Sequence, residues 1–227
     1  MKRIPLIVPF APPGALRRLL WARLAGLSML LLTASLSSVP ARADMAEAPQ
    51  ELIMRATQEV LARIKADPAI QTGDFGRIST LVDDAIMPHV NFSRMTQLAI
   101  GLGWRQASSS QRATLTEQFR ILLLRTYAGA LAQVRDETVR LRRTSPVQED
   151  GSVIVRTEII GRGEPIELGY RLEKSGDQWR IYDLNILGVW LVATYRNQFR
   201  PIFNRSGVDG LIDALRNKNQ QAAEHAR

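Results

Sequence analysis

The feature that most constrains this chain is a change of hydrophobic period at Asp136. Before it, apolar residues recur at i, i+3 and i+4; after it, they alternate with polar ones. The first spacing buries one stripe of a helix, and the second buries one face of a strand. Helical spacing returns near Gly188 and persists to Leu215. Helices, then strands, then helices specify an α+β domain.

The first helix is predicted over 49–66, with Leu52, Ile53, Ala56, Val60, Leu61 and Ile64 on one face. A second fits 74–88, stopped by Pro88. Asn91 or Ser93 can cap a short third helix that ends near Gly101 and Gly103. The longest helix, 109–136, follows a run of serines. Strands are predicted over 138–143, 152–161, 165–174 and 178–187. The separators, such as Ser175-Gly176-Asp177, are short and turn-prone, so the strands pair as antiparallel hairpins. The expected sheet therefore has four strands or slightly more. On the third strand Ile166, Leu168, Tyr170 and Leu172 share one face and Glu167, Arg171 and Glu173 the other. That sheet is apolar toward the helices and charged toward water. Two helices close the chain, over 188–204 and 207–219, parted by Arg205-Ser206-Gly207.

The first 43 residues read as a secretory leader. Arg17, Arg18 and Arg23 precede an apolar run over 24–36, and Ala41-Arg42-Ala43 supplies a small-x-small cleavage site. Thirteen apolar residues fall short of the roughly 20 that span a bilayer as a helix. Cleavage after Ala43 leaves a single domain over 44–227, exported to the periplasm, with a frayed tail over 220–227. The leader holds six of the 30 basic residues and none of the 22 acidic ones, so the formal +8 falls to +2 without it. A nucleic-acid footprint needs clustered basic surface; with the leader set aside, nucleic acid is not an expected partner. Arg140, Arg142 and Arg143 form the one local excess and read as a solvated strand edge. The chain has no cysteine, which excludes a disulfide scaffold and thiol chemistry.

Few residues offer chemistry. There are two histidines, His89 and His225. His89 lies near Asp83, Asp84 and Ser93, but it equally marks a helix end beside Pro88. Asp183 could serve as a buried acid, or it could pair across the sheet with Arg171 or Arg156. Metal-ligand spacings and glycine-rich phosphate loops are absent from the sequence, so no metal or cofactor is expected. What remains is apolar surface. Helices 109–136 and 188–204 carry more large apolar and aromatic residues than one stripe accommodates. Such residues form either a plain core or the walls of a hydrophobic pocket.

The segment VNFSRMTQLAIGLGWRQASSSQRATLTEQFRILLLRTYAGALAQVRD (90–136), with the block before it, resembles the MlaC-like, toluene-tolerance auxiliary family. The resemblance continues through VIVRTEIIGRGEPIELGYRLEKSGDQWRIYDLNILGVWLVATYRNQF and covers about residues 48–219. It implies a periplasmic phospholipid carrier with a curved, nuclear-transport-factor-2-like body. Such a carrier would serve an outer-membrane lipoprotein–porin complex and an inner-membrane ABC transporter with an MCE-domain ring, and would maintain outer-membrane lipid asymmetry. It further implies that two acyl chains enter a pocket between sheet and helices while the headgroup stays near the mouth. On that implication Leu98, Leu102, Leu123, Tyr127, Leu168, Tyr170, Leu184, Val192, Tyr195 and Phe199 line the pocket. Arg105, Arg112 and Arg196 are candidates for phosphate contact by residue type, against a solvated surface role. One departure is Trp190, which follows Gly188-Val189 where the family commonly has a small polar residue. Trp190 is the eleventh candidate for the lining, and a tryptophan facing the pocket would narrow it.

Three further readings stand beside the diacyl carrier. They are a carrier of a polycyclic, hopanoid- or sterol-like lipid, a small periplasmic enzyme using His89 or Asp183, and an adaptor with a solid core. The expected export is checked directly: N-terminal sequencing of the protein from the periplasm should begin at Asp44.

Overall fold

The protein's structure, a computed structural model, describes residues 47–224; the leader, its cleavage point and His225 lie outside them. Helix α1 (Pro49–Ala66) begins on a proline, whose missing N–H is no loss in the first turn, and matches the predicted bounds. It buries Leu52, Ile53, Ala56, Leu61 and Ile64. Two short helices follow, α2 (Pro68–Gln71) and α3 (Phe75–Leu81). Asp67 and Asp74 cap them by accepting the N–H groups of Ala69 and Arg77.

The single helix expected over 74–88 is corrected. After Leu81 the backbone widens into a π turn, Val82–Ile86, and then tightens into a 3-10 turn, Met87–His89. Pro88 supplies no N–H and restrains Met87, whose own N–H donates to the Val82 carbonyl. Asn91, not Ser93, caps α4 (Phe92–Ile100), and Gly101 ends it at φ 67°. Helix α5 (Leu102–Gln106) is short. Ser108 caps α6 (Ser109–Ala132), and Gln111 returns the bond to the Ser108 N–H. This helix stops four residues before the predicted 136.

The strands are β1 (Thr138–Thr144), β2 (Val153–Ile160), β3 (Ile166–Ser175), β4 (Gln178–Ile186) and β5 (Val189–Trp190). They form one antiparallel sheet in the order β1-β2-β3-β4-β5. Register shifts between Leu141 and Arg143 and between Arg171 and Leu172 bend it into a curve. The fifth strand comes from residues expected to open a helix. Ile186 pairs with Val189, so Leu187 (φ 50°) and Gly188 (φ 88°) form a two-residue turn with both angles positive. Helix α7 (Leu191–Glu224) therefore starts three residues later than predicted. Gly207 breaks it at φ 64°, ψ −162°, where the two final helices were expected to part. The second arm continues to Glu224, past the expected end at 219 and through the first half of the tail expected to fray. Asn219 anchors it by donating to the Gln118 carbonyl at 2.9 Å.

Three apolar clusters hold these elements. Leu52 and Ile53 of α1 cover Val153, Val155, Tyr170, Leu172 and Ile181 on the sheet. Ile64, Ile70, Ile78, Leu81 and Leu124 join α1, α2, α3 and α6. The largest cluster joins α4, α6 and both arms of α7 around Phe119. That ring is fully buried, 5.0 Å from Tyr195 and 5.5 Å from Phe199 in edge-on contacts, and 5.7 Å from Phe92. Phe119→Ala should cost about 3–5 kcal/mol, read as a lower urea midpoint.

Candidate functional site

Strand register decides which side chains face the helices. Val155, Tyr170 and Leu184 lie in one row across β2, β3 and β4, and Thr157, Leu168 and Ile186 in the next. These residues face inward. Arg156, Gly169, Asn185 and Trp190 form a row on the opposite face, with Arg171 and Asp183 beside it.

The helices cover the inward face unevenly. Helix α1 lies against β1 and β2, while α4 and α7 meet β4. Helix α6 packs on α2, α3, α4 and α7 and approaches no strand as closely. Between α6 and the sheet, apolar side chains converge without being sealed. Leu123 and Tyr127 of α6, Leu184 and Ile186 of β4, and Leu98 of α4 are half-buried and pack against the Phe119 cluster. Val192, Tyr195 and Phe199 of α7 are buried within that cluster. Burial pushes the Tyr127 and Tyr195 phenols above their ordinary range, and the Tyr195 ring ends beside the Thr126 side chain. The result is an apolar region with two hydroxyl-bearing rings, suited to hydrocarbon rather than to a charged ligand.

Seven of the eleven residues proposed from sequence thus meet in one region: Leu98, Leu123, Tyr127, Leu184, Val192, Tyr195 and Phe199. Four are placed elsewhere. Leu168 borders the groove from the α1–sheet cluster, to which Leu184 also belongs. Tyr170 is core beneath α1, its hydroxyl beside the Thr57 and Thr157 side chains. Leu102 turns outward just after Gly101 and is 62% exposed. Trp190 is on the opposite face of the sheet, where its ring covers Gly169 and stacks on Arg171 with the guanidinium 4.0 Å from the ring centroid. It does not narrow the groove. Ile186, next to Leu187 in the tight turn, was missed because only the turn fixes which way it points.

The polar candidates have structural partners. Asp183 pairs with Arg171 at 3.2 Å, one of the two partners expected from sequence. It is 1% exposed. The N–H groups of Leu184 and Val192 donate to its Oδ1 at 2.9 and 3.0 Å. Val192 is the second residue of α7, so Asp183 caps that helix from a neighbouring strand. Burial pushes its carboxyl up, outweighing the opposing pull of the Val192 N–H and Arg171. His89 is half-buried, and burial draws its imidazole down. Its charged neighbours are Arg55, Glu59, Arg180 and Glu47, whereas Asp83 is engaged by Arg120 at 2.9 Å. Arg196 donates to the Leu98 carbonyl at 2.7 Å, and Arg112 to the Trp104 carbonyl at 2.9 Å. A surface cleft of roughly 370 Å³ between α6 and the end of α7 is lined by Ile121 and Ala223 together with Gln118, Arg125, Arg216 and Asn219, and holds none of the eleven.

Asp183→Asn should lower stability by about 2 kcal/mol, because Arg171 loses its acid in a partly buried site. The raised carboxyl gives a second readout. Its stabilising contribution is complete below the unfolded-state value and is lost as pH rises through the folded-state value. Urea midpoints of the wild type should therefore decline across that range, and Asp183→Asn should flatten the decline.

Comparison with known proteins agrees with this geometry. The sequence model of the MlaC protein family matches residues 54–217. The intermembrane phospholipid transport system binding protein MlaC of Haemophilus influenzae is 24% identical over 177 residues, covering 76% of this chain and 83% of that protein. Toluene tolerance protein ttg2D of Pseudomonas putida is 22% identical over 200 residues, covering 84% and 92%. A phospholipid-binding protein from Ralstonia solanacearum, solved in complex with a phospholipid, superimposes with a TM-score of 0.75 at 42% identity. That alignment covers 78% of this chain and 99% of the solved one. With a family match across most of its length and a solved relative of the same architecture, the chain belongs to the MlaC protein family.

Proposed function

We propose that this protein is a periplasmic phospholipid carrier that holds acyl chains in the groove between α6 and the sheet. The observation that carries the reading is a set of half-buried apolar side chains, Leu123 and Tyr127 of α6 and Leu184 and Ile186 of β4, gathered beside the Phe119 cluster where α6 approaches no strand closely. A solved relative of this architecture holds a phospholipid, and two curated relatives are named for phospholipid transport and toluene tolerance. Among the described residues no helix is long and apolar enough to cross a membrane.

The energetics suit a carrier rather than a sink. Each methylene removed from water contributes about 0.8 kcal/mol, so two acyl chains taken from water would be held beyond any practical release. A bilayer is the relevant source, and there the tails are already dry. Transfer into an apolar groove is then close to balanced, which permits both loading and unloading. Direction must come from partners. In the proposed role these are an outer-membrane lipoprotein–porin complex and an inner-membrane ABC transporter with an MCE-domain ring, and the transport maintains outer-membrane asymmetry. The polycyclic-lipid alternative rests on two grounds, Trp190 in the pocket and a family with more than one lipid-linked branch, and Trp190 lies on the opposite face of the sheet.

Protein purified from periplasm and extracted with organic solvent should yield glycerophospholipid by mass spectrometry. An extract without it would overturn the reading, and an extract holding only polycyclic lipid would replace the cargo. Leu123→Trp and Leu184→Trp should each reduce bound phospholipid at least twofold while the far-ultraviolet circular dichroism stays that of the wild type.

A further inference from the structure

The first arm of α7 borders the apolar region that the carrier reading assigns to acyl chains. It supplies Val192, Tyr195 and Phe199 to the apolar cluster. At one end it is bounded by the Leu187-Gly188 turn, and at the other by the break at Gly207. At both points the regular backbone ladder is interrupted. Apolar packing along its length is non-directional, whereas hydrogen bonds fix one geometry.

Arg196 ties the arm to α4 by donating to the Leu98 carbonyl at 2.7 Å, and a second set of bonds lies at its start, on the outer face of the sheet. Asp183 Oδ1 accepts the Val192 N–H at 3.0 Å, and its Oδ2 accepts from Arg171 at 3.2 Å. The Arg171 guanidinium lies 4.0 Å from the centroid of Trp190, the residue immediately before the helix. Trp190 in turn rests over Gly169, where an added Cβ would meet its ring at 3.6 Å and Asn185 Cβ at 3.0 Å. A closed circuit results: β4 holds the helix, β3 holds β4, and the aromatic ring ahead of the helix holds β3. A guanidinium suits this place because it can bond a carboxylate at its edge while stacking its flat face on a ring.

We propose that Asp183, Arg171 and Trp190 form a latch that fastens the first arm of α7 to the outer face of the sheet and sets the rate of phospholipid exchange through the groove. The inference rests on the carrier reading. The three are positioning residues, since none of them faces the groove. Tails leave only when the α7 wall and the sheet part, and opening the latch is the directional part of that separation.

The test uses the mature protein loaded with a fluorescent phosphatidylethanolamine and mixed with phosphatidylcholine acceptor vesicles. Trp190→Leu and Arg171→Gln should each speed transfer roughly tenfold, the scale of losing one charge-assisted hydrogen bond or stacking contact. Equilibrium loading should change less than twofold. Arg171→Lys should be intermediate, because it keeps the charge without the flat face. The double variant should be no faster than the faster single one, since the residues act as a unit. Hydrogen exchange at the Val192 amide should accelerate in each variant. Asp183→Asn is the third variant, and if it fails to fold the other two carry the test. Folded, loaded variants that transfer at the wild-type rate would overturn the latch. So would a loss of loading that merely tracks a fall in thermal stability. A wild-type protein that takes up no phospholipid overturns the carrier reading itself, and is distinct from either result.

Discussion

The Asp183 carboxylate is the interaction on which the rest of the arrangement depends. A buried carboxylate must be satisfied, and this one draws on the backbone of its own strand, an arginine of the next strand and the first turn of α7. Meeting those three demands fixes where the sheet ends and where the helix begins. The direction of α7 follows, and with it the approach of Tyr195 and Phe199 to Phe119. Helix α6 is then held by α4 and α7 rather than by the sheet.

The same physics separates core from groove. Under α1 the sheet is tightly covered, and Val153, Val155 and Leu172 are almost fully removed from solvent. Toward β4, Leu184 and Ile186, of the same apolar character, are only half-buried, and α6 approaches no strand as closely as α1 does. In the proposed carrier, acyl chains complete the packing of those half-buried residues.

Much of the fold was legible in the residues. The change of period at Asp136 marked helices from strands, the Gly207 break stood in Arg205-Ser206-Gly207, and the alternation on β3 assigned its two faces. The errors have specific causes. Pro88 ended the second helix less abruptly than expected, through a π turn that no apolar pattern signals. β5 was read as helix because its turn places Leu187 in a left-handed conformation where asparagine or glycine would announce a hairpin. Tyr170 and Trp190 were both read as groove walls. A side chain's face depends on register, and one residue of shift reverses it.

Local chemistry therefore determined the element types, most of their limits and the supply of apolar side chains, because each depends on spacing along the chain. It also narrowed Asp183 to two cross-strand partners. Tertiary structure alone decided which apolar residues became core and which became wall. That choice turns on how far α6 lies from the sheet, a distance set by contacts among α4, α6 and α7 that are remote in sequence. It likewise moved Trp190 from the groove to the outer face, because a two-residue turn, and not the residue's own character, fixed the way it points.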